Sequence, residues 1–141
     1  MRYSDVESFV QAGLVARNYD PAALPVFDPG PSNDVALLKR TPGPMAFLLV
    51  GNGIGTEAEE TYDRLFIVVR AVGPQMDYAT AESLAWDIDT VMLGAQGNTI
   101  VGTARTLGIY RAAGAPVLVA HDAADRYHFQ CTYVTSTQTG L

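Results

Sequence analysis

The sequence is short of several things, and each shortage excludes a class of protein. It has one cysteine, Cys131, so no intramolecular disulfide can form and no oxidising compartment is required. Its longest unbroken apolar run, "MAFLLV" at residues 45–50, has six residues, far below the ~20 that a spanning helix needs. The N-terminal stretch is mixed and acidic, with no charged-then-apolar leader, so a soluble, intracellular product is expected at synthesis. Basic residues are also few: 9 Lys+Arg against 15 Asp+Glu leave a net charge of −6. Phosphate contacts need a basic stripe, and none is visible, so specific nucleic-acid binding is disfavoured.

What is present describes an ordinary folded domain. Forty-eight percent hydrophobic and 17% charged residues over 141 positions suffice for one core, read as a single domain over 1–141 with residues 139–141 as a frayed tail. Residues 2–17, "RYSDVESFVQAGLVAR", predict a helix. Ser4 and Glu7 have capping-box spacing, Val6, Phe9, Val10 and Leu14 form an apolar stripe, and Arg17 closes the last turn. The proline-rich stretch 20–33 predicts an extended connector with a short edge strand at Val26 and Phe27. Strands follow at "DVALLKR" and "MAFLLV", split by the turn "TPGP", and at "LFIVVRAV", closed by Gly73-Pro74.

A second helix is expected over 78–93, with Ala81, Leu84, Ala85, Ile88, Val91 and Met92 on its apolar stripe. Glu82, Asp87 and Asp89 lie off that stripe and predict an acidic outer face, and Gly94 predicts a left-handed stop. The remainder reads as strands centred on "RTLGIYR", "VLVAH" and "RYHFQCTYVTST", joined by turns at "AAGAP" and "DAAD". In the last strand Tyr127, Phe129, Cys131 and Tyr133 alternate with polar residues, which predicts one buried aromatic face.

Candidate chemistry is sparse. "LLVGNGIGTEAEET", residues 48–61, resembles a phosphate-cradling loop, but its glycines are Gly51, Gly53 and Gly55, not the spacing that packs a helix on a strand. Glu57, Glu59 and Glu60 would repel a pyrophosphate. Nine residues between Gly55 and Leu65 are too few for a crossover helix. The stretch reads as a loop between strands, and no cofactor is expected. His121, Asp122, Asp125 and His128 form the one cluster with metal or acid–base chemistry. "HDAADRYH" fits a strand end, a four-residue turn and a strand start better, with the aspartates as turn formers. Cys131 reads as a small buried hydrophobe, and Ser32, Ser83 and Ser136 have no nucleophile-elbow context. Trp86, beside the helix stripe, reads as packing.

Several stretches taken in order resemble the tail terminator proteins of long-tailed, lambda-like bacteriophages, including those described as minor tail or minor capsid proteins. "DVALLKRTPGP" resembles the first strand and its turn. "TYDRLFIVVRAVG" resembles the strand whose arginine, here Arg70, precedes the second helix. "YATAESLAWDIDTVMLG" is similar to that helix, and "GIYRAAGAPVLVAHDAADRYHFQCTYVT" to the closing run. The likeness covers roughly residues 5 to 135, and it is fold punctuation rather than chemistry. The loop "VGNGIGTEAEET" departs from it in being longer and more acidic.

The resemblance implies an α+β fold: a mostly antiparallel twisted sheet of four to five strands with two main helices on one face. It also implies a closed ring, typically of six copies, with no enzymatic activity. Such a ring would sit in the virion at the head-proximal end of the tail, cap the tail tube, stop its growth and receive the head–tail connector. DNA would pass through its lumen without specific binding, and no membrane would be involved. On this reading Gly51, Gly53, Gly55, Glu57, Glu59, Glu60, Arg70 and Arg126 are candidates for oligomer or docking contacts. Glu82, Asp87 and Asp89 are candidates for lining the lumen. A neighbouring head–tail connector or neck component remains open. So does a small metal-dependent enzyme or ligand-binding domain using His121, Asp122 and His128.

Overall fold

Alternating apolar strands and two amphipathic helices leave one way to bury everything: both helices laid on the same sheet. The computed structural model describes residues 3–19, 26–27, 45–51, 62–101, 104–123 and 125–138. Its elements are α1 (Tyr3–Val15), β1 (Val26–Phe27), β2 (Met45–Gly51), β3 (Tyr62–Val72), α2 (Tyr78–Leu93), β4 (Gln96–Val101), β5 (Ala104–Arg111), β6 (Val117–His121) and β7 (Tyr127–Gln138). The class is α+β, as expected, but the sheet has seven strands, in the order β1-β2-β3-β7-β5-β4 with β6 also on β7. β1 pairs in parallel with β2, and every other pairing is antiparallel.

β7 organises the sheet. Eleven of its twelve residues pair with β3, from Tyr62↔Gln138 to Val72↔His128. This register puts Ile67 beside Tyr133, Val69 beside Cys131 and Ala71 beside Phe129, all on the face the helices cover. α1 delivers Val6, Val10 and Leu14 to the core, and α2 delivers Ala81, Leu84, Ala85, Ile88 and Met92. Each large apolar side chain buried this way contributes about 1.5–3 kcal/mol. The helices meet where Gly13 faces Val91, whose Cγ1 lies 2.3 Å from where a Cβ would stand.

α2 runs as predicted over 78–93. Asp77 caps it, accepting from the Thr80 hydroxyl and from the Thr80 amide at 3.0 Å. Those bonds hold the Asp77 carboxyl below its ordinary range, the hydroxyl contributing most.

Several local expectations need correction. Gly94 closes α2 in right-handed conformation, φ −69°, because the chain turns directly into β4. The left-handed glycine is Gly97, φ +62°, at a bulge between Gln96 and Thr99. β4 itself escaped the sequence reading, since "QGNTIV" has no alternation. Arg17 lies beyond the end of α1 and pairs with Asp87 at 3.7 Å instead of serving the helix end. The expected strand "DVALLKR", the turn "TPGP" and the side chains of Ser4 and Glu7 lie outside the described residues. No helix among the described residues is long and apolar enough to cross a membrane.

Candidate assembly surface

β5 and β6 both run antiparallel to β7 on the same edge. β5 pairs with residues 137–133 and β6 with 130–127. Between them the Ala112 amide still donates to the Thr132 carbonyl at 2.9 Å. "AAGAP" is therefore not a reversing turn. It loops out between two collinear strand segments, with Gly114 at φ +86°. The result is a long hairpin whose far arm, β6 and the start of β7, ends in the turn 122–126.

Two aspartates build that turn. Asp122 Oδ1 accepts from the Arg126 amide at 3.0 Å, and Asp125 takes the left-handed conformation, φ 57°, which aspartate tolerates. The four residues of the possible metal cluster separate into pairs. Asp122 Oδ2 lies 2.6 Å from His128 Nε2, where the ring is buried. His121 lies 3.4 Å from Asp125 in the open and stacks on Tyr127 with centroids 4.5 Å apart. Among the described residues no three His, Cys, Asp or Glu side chains are placed to share an ion.

β6 is exposed and uncharged apart from His121. Val117, Leu118 and Val119 are 52%, 44% and 43% exposed, an unusual run for a strand that pairs only with β7 among the described residues. A second apolar area lies at the opposite end of β7. Tyr110 shares its position across the sheet with Val134, away from the helices, and Leu107, Gly108, Tyr110, Val134, Thr135 and Ser136 line an open groove there. Ile100 and Arg105, paired across β4 and β5, lie exposed beside it.

A buried hydroxyl set holds the groove. β5 bulges between Thr106 and Ile109, with Gly108 at φ +133° and a virtual Cβ 2.8 Å from the Tyr110 hydroxyl. Thr106 Oγ1 accepts from the Gly108 amide at 3.1 Å. Thr135 Oγ1 donates to the Gly108 carbonyl at 2.7 Å, and the two threonine hydroxyls bond each other.

The anticipated acidic face is only partly there. Glu82 is exposed. Asp87 is half-buried, accepts from the Tyr19 hydroxyl and pairs with Arg17. Burial first, then the Asp87 bond, pushes the Tyr19 phenol well above its ordinary range. Asp89 does not face outward: it is 3% exposed, because the sheet end brings Arg111 and Tyr133 to it. Its Oδ1 accepts from Arg111 Nε at 3.1 Å and from the Tyr133 hydroxyl at 3.0 Å, while Oδ2 takes Arg111 Nη2. Trp86, read as packing, is 45% exposed, and the Arg111 guanidinium stands 5.6 Å from its ring centroid.

Of the proposed contact residues, Gly51, Arg70 and Arg126 are among the described residues. Gly51 ends β2 opposite Phe66, whereas Gly53, Gly55, Glu57, Glu59 and Glu60 lie outside the described residues. Arg70 is half-buried on the sheet face away from the helices and donates to Gln130 Oε1 at 3.2 Å. Arg126 is 4% exposed, an intra-fold residue in this chain. Sequence reasoning passed over Val117–Val119, Leu107, Tyr110 and Arg105. The available signals were a glycine inside "RTLGIYR", which marks a bulge, and an edge strand without a charge.

Cys131 is buried as expected, its thiol 3.7 Å from the Ala85 carbonyl. Burial pushes its pKa from 9.0 up to about 11. At pH 8 the thiolate fraction should therefore be roughly 100-fold below that of an ordinary cysteine. Iodoacetamide should label the native protein at least that much more slowly than the urea-unfolded chain. Equal rates would show that the thiol is not enclosed.

Solved structures share this fold, one of them across nearly its whole length. It is a chain described as "Virion of native gene transfer agent (GTA) particle", which matches with a TM-score of 0.62 at 17% identity. The match covers 94% of this chain and 93% of that one, so the shared fold includes both helices and the sheet. No protein-family model matches the sequence, and no curated protein matches it.

Proposed function

We propose that this chain is a structural virion subunit, a tail terminator that works by binding and not by catalysis. The observation that carries the reading is the end-to-end fold likeness to a virion chain. The order of strand, turn and helix motifs supports it independently. In this proposal copies assemble head to tail into a ring, typically of six. The ring caps the tail tube at the head-proximal end, blocks further tube subunits and presents its other face to the head–tail connector. Heterologous contacts close a ring when two different patches of one subunit meet, and this subunit exposes two distinct apolar areas on one sheet.

Glu82 and Asp87, both on α2, are the residues proposed to line the lumen, where negative charge would let a duplex pass without sticking. Asp89 is excluded from that role by its burial. The glycine-rich acidic stretch, residues 51–62, is proposed as the docking element for the tube.

Particles assembled without this protein should carry tails of irregular length, as seen by electron microscopy. Deleting residues 52–61 should reproduce that defect while circular dichroism still reports a folded subunit. Uniform tails joined to capsids in the protein's absence would refute the terminator role. Normal tail lengths with unjoined heads would favour the neighbouring connector role.

A further inference from the structure

We infer that the hairpin arm of one copy, residues 117–123 and 125–126, seats in the Leu107–Tyr110–Ser136 groove of the next copy, with Asp125 meeting Arg105. This rests on the ring reading and names the surfaces that would form it.

Three observations lead to this pairing. The two apolar areas lie at opposite ends of one edge. Tyr110 pairs with Val134 of β7 and Val117 with Gln130, so the two areas are about 14 Å apart at their nearest at ~3.4 Å per residue. One subunit cannot bring them together, whereas a head-to-tail neighbour can. Each area also has an exposed charge on one flank, and the signs are opposite. The arm ends in Asp125, whose side chain is 54% exposed, and the groove is flanked by exposed Arg105.

The spacing also agrees. Val117 to the end of β6 and Tyr110 to Arg105 are stretches of five and six residues, four and five steps that span about 13–17 Å in extended chain. Apolar contact and ion pair can therefore form together. Because each copy has a net charge of −6, association must overcome general repulsion. An apolar contact fixed by one local charge pair suits that requirement, with the pair setting register more than strength.

The test is disulfide trapping with self-association measured alongside. A chain carrying both Leu107→Cys and Leu118→Cys cannot close on itself, since bridged Cα atoms must lie within about 7 Å. The native thiol of Cys131 is buried and does not compete. On mild oxidation the expected result is a covalent ladder ending at the ring copy number, absent from either single variant. By light scattering, Arg105→Glu should weaken self-association at least tenfold. Asp125→Asn, which keeps a residue type that accepts positive φ, should weaken the parent protein but strengthen the Arg105→Glu variant. A parent that multimerises while the double-cysteine chain stays uncrosslinked and Arg105→Glu changes nothing overturns this contact and leaves the ring standing. A parent that remains monomeric at every attainable concentration overturns both.

Discussion

Asp89→Ala is expected to lower the unfolding free energy by about 3 kcal/mol, the low end of what breaking a buried ion pair costs. The carboxylate is the shared acceptor of Arg111 Nε and the Tyr133 hydroxyl. Tyr133 is fully buried, so without Asp89 its hydroxyl loses its acceptor where no water reaches it. Arg111 is the lesser problem, since its side chain is 35% exposed and can turn to solvent, giving up its place over Trp86. Asp89→Asn separates these contributions. It keeps an oxygen for Tyr133 and removes the charge, so it should cost clearly less than the alanine. Urea unfolding midpoints measure both. An alanine variant within about 1 kcal/mol of the parent would show that the cluster is not coupled to folding.

Gly73→Val should be at least as damaging, by about 3 kcal/mol or more, through overpacking that the fold has no room to relieve. Gly73 is buried where β3 passes under the first turn of α2. A Cβ there would stand 2.5 Å from Ala81 Cβ, 2.9 Å from its Cα and 3.0 Å from its amide nitrogen. Two of those three atoms are backbone, so a rotamer change cannot relieve the clash and the helix must move. Moving it disturbs the Asp77 cap and the burial of Leu84 and Ile88. Ala81→Gly on the same chain removes only the nearest atom and should rescue little. Thermal unfolding of the single and double variants gives the comparison, and a Gly73→Val protein melting with the parent would refute the close approach.

The strands of strongest pattern were legible from residue types. "LFIVVRAV" is β-branched and apolar, and the alternation in the last strand marked Phe129, Cys131 and Tyr133 as buried, although Arg126 and His128, expected on the wet face, are buried as well. The second helix was legible to the residue, because its stripe is wide and the Gly73-Pro74 break isolates it. β4 was not legible, since an edge strand with a bulge at Gly97 buries little and has no period to detect. "AAGAP" misled for a related reason. Glycine and proline announce a break in the strand, but not whether the chain reverses or resumes beyond it.

The candidate surface follows the same division. Composition and periodicity by themselves determined two amphipathic helices, several strands and an aromatic strand face, because those depend on each residue's neighbours along the chain; the α+β class was implied by the family resemblance. Only the tertiary structure decided that Asp89 is a core residue, that His121 and His128 belong to separate pairs, and that Val117–Val119 stand exposed beyond the core. Each of those outcomes depends on which distant segment arrives beside the residue. Arg111 and Tyr133, brought together by the β5–β7 register, turn a helix aspartate inward, and no local period records that register.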